Sequence, residues 1–277
     1  MPSTQPRGRL LIVAAAVMWS SSGFFAKAQV FDGWSGTTLA FWRAVFASCV
    51  LLPFVRRPRW NWRLVPMTLI FAAMNVTFLC AMVATTAANA IWLQNTAPAW
   101  VFLFAVIWLK ETITWRDWRL LIFIVLGVGT ILLGESSGES MVGVTWGLLA
   151  GLTYAGVVVT LRWLRNEDAA WLVALNHIVT AAVLAPFVIG QSPLPAGQQW
   201  WYLIGFGVVQ MGIPYLLFAR GVRTVPGHEA TGIVLLEPLL VPVWTWLAWR
   251  EMPAWWTVLG ASLILTGLIW RYRGKPS

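Results

Sequence analysis

Apolar segments separated by short polar stretches run along the whole chain, and each segment has the length of a membrane-spanning helix. Such a helix needs about 20 mostly apolar residues. Ten segments qualify, covering residues 9–28, 36–55, 64–84, 88–108, 117–134, 142–162, 170–190, 200–220, 230–249 and 255–271. The pattern predicts an all-α integral membrane protein with ten transmembrane helices, and the short loops predict that consecutive helices run antiparallel.

The composition of the chain excludes an ordinary soluble protein. Of its 277 residues only 10% are charged, against about 25% in soluble domains, and its mean hydropathy is +0.72. The 21 Trp residues fall mostly near the predicted helix ends, where indole rings anchor in the headgroup region. The surface is therefore expected to face membrane lipid.

The 19 Lys and Arg residues give a net charge of +9, but they lie singly or in short groups between the spans. This distribution sets membrane orientation and argues against nucleic-acid binding. Most of them fall on one side if both termini are cytoplasmic. Arg7 and Arg9 resemble the basic start of a signal peptide, but no cleavage site follows, so we interpret residues 9–28 as an uncleaved first span.

The second half of the chain repeats the first at an offset of 140 residues. The matching pairs are Pro98 and Pro238, Val101 and Val241, Glu111 and Glu251, Trp115 and Trp255, and Gly127 and Gly267. Weaker matches at an offset of 135 pair Trp19 with Tyr154 and Lys27 with Arg162. Five helices per half is an odd number, so the halves, residues 1–135 and 141–275, are expected to be inverted repeats. Membrane proteins of this kind are most often transporters, with the solute bound between the halves.

These features resemble the drug/metabolite transporter superfamily, and its EamA-type members above all. The motifs that carry the resemblance are Trp19-Ser20-Ser21 before Lys27, Lys110-Glu111 before Gly127, Glu237-Pro238, and Arg250-Glu251 before Gly260 and Gly267. The resemblance implies export of small metabolites across a bacterial inner membrane, and it is greatest to the YddG-type exporters of aromatic amino acids. Position 97 is Ala where the second half has Glu237, so the acid of the family's Glu-Pro motif is not duplicated.

Polar and aromatic residues near the predicted helix midpoints are the candidates for a central binding site, because such groups normally face the protein interior or a water-filled cavity. Amides suit a zwitterionic amino acid, since they offer both donors and acceptors. Interhelical hydrogen bonding and simple packing are the alternative interpretations. The candidates are Trp19, Asn75, Gln94, Asn95, Trp100, Tyr154, His177, Gln210 and Tyr215.

Two charged residues within the spans need a specific explanation. Glu237 is either a proton-coupling site or a structural acid bonded to His177 or to a backbone group freed by a proline, and the structural role is favoured. Arg43 is expected to snorkel outward or to pair with Asp32, although it could instead hold a substrate carboxylate. Pro98, Pro214, Pro238 and Pro242 lie within spans and are expected to act as hinges or static kinks.

Other kinds of function lack a signal in the sequence. There is no phosphate-binding motif, no Cys/His cluster for a metal or haem, and no catalytic triad, so we expect no cofactor and no enzyme activity. Multidrug efflux and nucleotide-sugar exchange on the same fold remain alternatives, while a channel or a membrane-embedded enzyme is less favoured. The sequence leaves the oligomeric state open, and a monomer is compatible with it.

Overall fold

The computed structural model describes residues 5–109, 115–135, 138–164, 166–190 and 194–272. Lys110 and Glu111 of the repeated motif therefore lie outside the described residues. Every regular element in the described part is helical. The helices are α1 (Gln5–Trp19), α2 (Ser22–Ala26), α3 (Gly36–Leu51), α4 (Leu64–Ala84), α5 (Ala87–Gln94), α6 (Ala97–Leu109), α7 (Trp115–Gly134), α8 (Gly138–Trp163), α9 (Ala169–Val188), α10 (Gln198–Gly207), α11 (Ile213–Gly221), α12 (Gly227–Val234), α13 (Leu236–Trp249) and α14 (Trp255–Tyr272).

Eight helical stretches of the described chain are long and apolar enough to cross a membrane. They are Gln5–Ala26, Gly36–Phe54, Leu64–Ala84, Asp117–Gly134, Met141–Trp163, Ala169–Val188, Gln198–Gly221 and Glu229–Trp249. The expected spans 88–108 and 255–271 are not among them. The first is divided between α5 and α6, and the second coincides with α14, whose terminal Trp, Arg and Tyr residues lower its hydropathy.

Several of the expected spans are interrupted within their length. Ser20–Ser21 separates α1 from α2, Asn95–Thr96 separates α5 from α6, and Leu235 separates α12 from α13. A π-helical turn, Val208–Gly212, joins α10 to α11. Prolines follow three of these interruptions, because a residue without an N–H fits the first turn of a new helix better than the middle of a continuous one.

Pro98, Pro214 and Pro238 each lie in the first turn of the helix after an interruption, whereas Pro242 lies inside α13. Discontinuous helices at membrane depth are tolerated where the freed backbone groups line a cavity or find protein partners. The positions predicted to be hinges or kinks therefore coincide with these helix junctions, except for Pro242.

The two halves of the chain pack with a recurring pattern. The contact of α4 with α8 has its counterpart in the contact of α11 with α1. In the same way, the contact of α5 with α8 corresponds to that of α12 with α1. Equivalent helices also meet each other, since α3 contacts α9 and α7 contacts α14. Along α7 and α14 the contacts run from Gly134 with Trp256 to the ion pair of Asp117 with Arg271, so these two equivalent helices are antiparallel.

The crossing of α7 and α14 depends on two glycines. A Cβ on Gly127 would lie 2.6 Å from the carbonyl oxygen of Gly260, and a Cβ on Gly260 would lie 2.6 Å from that of Gly127. Small residues at such a crossing let two backbones approach closely in the membrane. The Gly127–Gly260 contact therefore fixes how the last helices of the two halves cross.

Gly127→Ala is expected to lower the free energy of unfolding by about 1–3 kcal/mol, because the added methyl group meets backbone atoms that cannot move aside. Gly129→Ala is the matched control, since a Cβ at position 129 has no neighbour within 4 Å. This control should be neutral or stabilising by up to about 1 kcal/mol. SDS titration of the purified protein, followed by Trp fluorescence, measures both, and equal losses from the two variants would contradict the proposed contact.

Most of the fully buried apolar side chains form one cluster that joins the first and last parts of the chain, with Leu39, Leu79, Ile91, Phe206 and Val241 among its members. Large apolar residues are also exposed on the outside, Leu10, Leu133 and Phe187 among them. Exposed Trp side chains occur near helix ends, at Trp60, Trp62, Trp115, Trp201 and Trp255. An apolar outer surface with Trp at the helix ends suits a lipid environment.

Asp168 caps α9 and joins it to the segment after α3. Its side chain accepts hydrogen bonds from the backbone N–H groups of Ala170, at 3.0 Å, and of Arg56 and Arg57, at 3.0 and 3.1 Å. Burial disfavours the charged form of this carboxyl, but the backbone hydrogen bonds outweigh burial and hold the pKa of Asp168 below its ordinary value. Asp168 therefore ties the end of one helix to the start of its equivalent in the other half.

Asp168→Ala is expected to lower the apparent melting temperature at neutral pH, since losing the cap alone costs about 1 kcal/mol. A lowered folded-state pKa means that this stabilisation is present above the unfolded-state pKa of about 3.9 and is lost as the pH falls through the folded value. The difference between wild type and variant should therefore shrink below about pH 4. The neighbouring Glu167→Ala is the control, and an equal loss from it would contradict the assignment.

Candidate functional site

A cavity of about 680 Å³ lies between α6, α7, α8, α11, α12 and α14. Its wall is mostly apolar, and charged groups occur where Arg162, Asp117 and Arg271 line it. Asp117 and Arg271 form an ion pair at 3.0 Å. The cavity has the size and mixed lining of small-molecule sites in other proteins. The residues that line it are Asn95, Ala97, Pro98, Val101, Phe102, Asp117, Leu120, Tyr154, Val158, Arg162, Phe218, Thr231, Val234, Leu235, Leu268 and Arg271.

Three residues singled out in the sequence, Asn95, Pro98 and Tyr154, lie on the wall of this cavity. The side-chain amide of Asn95 donates to the carbonyl of Ile91 at 2.8 Å, one turn back at the end of α5. Tyr154 packs with Phe71 and Met74 of α4. The cavity is thus in contact with the helix junction at Asn95–Thr96.

Arg43 lies in the centre of the helix bundle and not at its outer surface. Its side chain is fully buried and donates to the amide oxygen of Asn75 on α4 and, at 3.5 Å, to that of Gln210 in the π-helical turn. The guanidinium also lies 5.9 Å from the ring centroid of Phe78 and 5.0 Å from that of Phe206. The expectation of outward snorkelling or of a pair with Asp32 is therefore wrong, because two buried amides on neighbouring helices hold the side chain inward.

Gln210 links this arginine to the interruption in the first span. Its amide nitrogen donates to the backbone carbonyl of Trp19 at 3.1 Å, where α1 ends. The Trp19 ring meets Tyr215 edge-on, with centroids 5.1 Å apart, and Phe218 at 5.2 Å. Since Phe218 also lines the cavity, a continuous set of contacts runs from Arg43 through Gln210 and Trp19 to the cavity.

His177 is fully buried beside this set, and neither of its ring nitrogens has a hydrogen-bond partner in the described structure. Its ring meets Phe71 at 5.0 Å and Tyr215 at 6.4 Å, edge-on in both cases. The proposed bond between Glu237 and His177 is therefore not formed. His177 contributes here as an aromatic ring and not as a hydrogen-bonding group.

Glu237 lies in the first turn of α13, directly after the junction at Leu235. It is half-buried, and no ion pair or hydrogen bond of its carboxylate is found within the described residues. The structure places this acid two residues after Leu235, which lines the cavity.

The remaining candidates lie further from the cavity or pack within the bundle. The amide nitrogen of Gln94 lies 3.5 Å from the sulfur of Met74. Trp100 lies against Gly151 of α8. Phe102, Phe218 and Arg162 line the cavity but were not selected from the sequence. The repeat could have indicated Arg162, because its counterpart Lys27 belongs to the motif that begins at Trp19.

The equivalent region at the other end of the molecule is closed. Lys27 forms an ion pair with Glu251 at 3.2 Å and donates to the carbonyl of Thr85 at 2.6 Å. Glu251 also accepts from the backbone N–H of Ala87 at 2.7 Å. Lys27, Thr85 and Ala87 belong to the first half and Glu251 to the second, so the two bonds of Glu251 join the halves. We call these three bonds together the Lys27–Glu251 latch.

A second network lies beside this latch. The amide nitrogen of Asn89 donates to Glu135 at 2.8 Å, and its oxygen accepts from Thr257 at 2.8 Å. The indole of Trp256 donates to Glu135 at 3.3 Å. α5, α7 and α14 are thereby joined at the closed end.

The open and closed ends correspond to each other under the repeat. A crevice of about 170 Å³ lies at the closed end, lined by Pro238, Pro242 and Thr257 among others. These residues are the counterparts of Pro98, Phe102 and Asp117, which line the cavity of about 680 Å³. Equivalent parts of the two halves thus adopt an open arrangement at one end and a closed one at the other. Among the residues described, no group of His, Cys, Asp and Glu could hold a metal ion.

Comparison with known proteins places this architecture in a family. The sequence profile of the EamA-like transporter family matches residues 6–133 and again residues 141–272. An uncharacterized transporter of Archaeoglobus fulgidus is 25% identical over 96% of both chains. The pseudopaline exporter CntI of Pseudomonas aeruginosa is 28% identical over 76% of both chains, and the biotin transporter of Escherichia coli is 22% identical over 95% of this chain and 92% of its own.

A solved crystal structure superposes with a TM-score of 0.69 over 96% of both chains at 16% sequence identity, which supports the shared fold. Two family matches, one in each half, also account for the repeated motifs and for the recurring helix contacts. The chain therefore belongs to the EamA-like transporter family.

Proposed function

We propose that this protein is a secondary transporter that exports small metabolites, amino acids above all, across a bacterial inner membrane by alternating access. In this proposal ten spans form two inverted five-helix repeats, residues 1–135 and 141–275, with both termini in the cytoplasm. The charged rim of the cavity at Arg162 and Arg271 then faces the cytoplasm, in accord with the preference of basic residues for that side. The solute and the surrounding lipid are the partners, and a monomer suffices.

The observation that carries this proposal is the difference between equivalent regions. A carrier built from two inverted repeats opens to one side when its halves adopt one arrangement and to the other side when they exchange arrangements. The open cavity at Pro98 and Asp117 and the closed crevice at Pro238 and Thr257 have the asymmetry expected of one such state. A channel would instead need a continuous polar path.

The amino-acid assignment rests on the residues near the cavity. The rings of Tyr154, Trp19 and Phe218 offer surface to an aromatic or bulky apolar side chain, and the amide of Asn95 offers hydrogen bonds. A nucleotide sugar would require several deep basic groups, whereas Arg43 is the cation placed centrally in the described structure. Multidrug efflux remains the second candidate, since the cavity wall is mostly apolar.

Uptake into proteoliposomes tests the proposal. The panel contains threonine, methionine, phenylalanine, a nucleoside, biotin and a cationic dye, each with and without a pH gradient. Specific accumulation of one or more amino acids is the expected result. Movement of the dye alone would replace the proposal with efflux, and movement of biotin alone would assign a different metabolite to the site.

A further inference from the structure

We propose that the segment between α3 and α4 is a binding site for the phosphate headgroup of an anionic membrane phospholipid, phosphatidylglycerol or cardiolipin. Four of the 19 Lys and Arg residues of the chain fall within residues 56–63, whose sequence is RRPRWNWR. We call residues 56–63 the basic loop. This inference goes beyond the proposed function, because it concerns the membrane around the protein and not the solute that crosses it.

The backbone of the basic loop is held against the start of α9. The N–H groups of Arg56 and Arg57 donate to the carboxylate of Asp168 at 3.0 and 3.1 Å. The indole of Trp171, one turn further along α9, donates to the carbonyl of Arg59 at 2.9 Å. The loop therefore presents its side chains from a fixed backbone, and a ligand that binds there does not have to order the chain first.

The guanidinium groups of the basic loop are available to a ligand. All four arginines are exposed, and none forms an ion pair or a side-chain hydrogen bond within the described residues. Asp168 binds the backbone of the loop and not these side chains. Other arginines are paired, Arg9 with Glu229 and Arg271 with Asp117. Four cations on one short loop therefore lack a counter-charge from the described protein.

Exposed indole rings place the basic loop at the membrane surface. Trp60 and Trp62 are 73% and 69% exposed, and Leu52 and Phe54, at the end of the preceding span, are also exposed. Indole rings prefer the headgroup region of a bilayer, and apolar side chains next to them continue into the acyl chains. The arginines on either side of the two Trp residues are thereby held at the depth of the lipid phosphates.

The combination of charge and aromatic rings selects the class of ligand. A guanidinium group binds phosphate through two parallel hydrogen bonds, and a cluster of four or more basic residues beside a spanning helix attracts anionic lipid. The ammonium group of a zwitterionic lipid offsets that attraction. A soluble anion would use the arginines and leave the exposed indoles without a role, whereas an anionic lipid uses both. The general preference of basic residues for the cytoplasmic side accounts for the charge alone, and not for the fixed backbone or the exposed rings.

Thermal unfolding of the purified protein in dodecyl maltoside micelles tests the site. Phosphatidylglycerol, cardiolipin, phosphatidylcholine and inorganic phosphate are added in separate samples, and native mass spectrometry of the same samples counts the bound lipids. Either anionic lipid, at about ten times its dissociation constant, should raise the apparent melting temperature by about 3–5 °C. Phosphatidylcholine and inorganic phosphate should leave it close to the value without additive.

Removing two charges from the basic loop should weaken binding of the anionic lipid. Arg57→Gln combined with Arg59→Gln should raise its dissociation constant about 25-fold, since each basic residue near an anionic headgroup changes affinity about fivefold. The matched control is Arg220→Gln combined with Arg223→Gln. Both control residues are exposed near the end of α11 and have no ion pair within the described chain, so the same charge is removed outside the loop. This control should bind the lipid like wild type.

A second double variant tests the role of the indole rings. Trp60→Gln combined with Trp62→Gln keeps the four charges of the basic loop, and it should lower the gain in melting temperature that the anionic lipids give. If this variant kept the full gain, the loop would bind anions without using the membrane, and the lipid site would be overturned.

The remaining outcomes also decide the proposal. Equal gains from phosphatidylglycerol and phosphatidylcholine would overturn it, and this comparison uses wild type alone, so it does not depend on the folding of any variant. Protection by inorganic phosphate equal to that by lipid would assign a soluble anion instead. Equal losses from the two arginine double variants would attribute the effect to general charge and not to the basic loop. Because no transport is measured, none of these results bears on the proposed function.

Discussion

Glu251→Gln is expected to open the closed end of the molecule and to lower the rate of transport. Glu251 joins Lys27 and the backbone N–H of Ala87, and both contacts cross between the halves of the chain. This ion pair is largely shielded from solvent, since the side chains of Lys27 and Glu251 are only 19% and 20% exposed. Hydrogen bonds to such charged groups contribute about 1.5–3 kcal/mol each.

Losing this latch should shift the balance between the two states about tenfold, since 1.4 kcal/mol corresponds to a factor of ten. Trp92 lines the crevice at the closed end, so a cysteine placed at position 92 reports on opening. Its labelling by a membrane-impermeant maleimide should be slow in the parent protein and markedly faster with Glu251→Gln. Cys49 and Cys80 are first replaced so that they do not react.

The matched control is Glu229→Gln at the open end. Glu229 pairs with Arg9, but these side chains are 29% and 50% exposed. Exposed ion pairs contribute about 0–1 kcal/mol, so this variant should leave labelling at position 92 and transport close to the parent values. If both variants had the same effect, general loss of stability and not opening would be the explanation.

Exchanging the two charges of the latch tests whether its backbone hydrogen bonds, and not the ion pair alone, keep this end closed. Lys27→Glu combined with Glu251→Lys restores opposite charges, but it places a carboxylate against the carbonyl of Thr85 and an ammonium against the N–H of Ala87. Because those backbone groups cannot exchange donor for acceptor, the swapped protein should label at position 92 like Glu251→Gln. Full recovery of the parental labelling would show that charge alone closes this end.

The sequence was most informative where one physical constraint dominates. Membrane thickness sets the length of each apolar segment, so the helical stretches could be assigned from composition and spacing. The repeat could be recognised equally well, because Pro98 and Pro238 match at an offset of 140 residues, and both lie in the first turn of a helix. The family matches, at residues 6–133 and 141–272, confirm the recognition that these motifs supported.

The candidate site was less predictable because it depends on which way side chains face. The depth of Arg43 in its segment was evident, but its burial depends on Asn75 and Gln210, which are 32 and 167 residues away along the chain. The division of residues 88–108 into α5 and α6 likewise depends on tertiary contacts as well as on Pro98. Nor does a repeat reveal which of two equivalent regions is open, since both states use the same residues.

Asn75→Ala is expected to be among the most destabilising single changes in the bundle. Asn75 is fully buried, accepts from Arg43 and donates to the carbonyl of Phe71 at 3.2 Å. Its removal leaves a buried guanidinium with Gln210 as the remaining acceptor, at 3.5 Å. The loss of a partner from a buried charge costs about 3 kcal/mol or more.

SDS titration followed by Trp fluorescence measures this loss, and Asn95→Ala is its control. Asn95 bonds to its own helix through the carbonyl of Ile91 as Asn75 bonds to that of Phe71, but it is not bonded to a charged group. Asn95→Ala should therefore cost about 1 kcal/mol, the ordinary value of one hydrogen bond. Equal costs for the two variants would mean that Arg43 does not depend on Asn75.

A double variant that replaces both Arg43 and Asn75 tests whether the uncompensated charge of Arg43 causes this loss of stability. Arg43→Met removes the charge and retains an unbranched side chain, and replacing buried charged groups by apolar ones is often neutral or stabilising. Arg43→Met combined with Asn75→Leu should therefore be more stable than Asn75→Ala alone, although it carries more changes. If the double variant were the less stable of the two, packing around Asn75 would account for the loss, and the uncompensated charge of Arg43 would not.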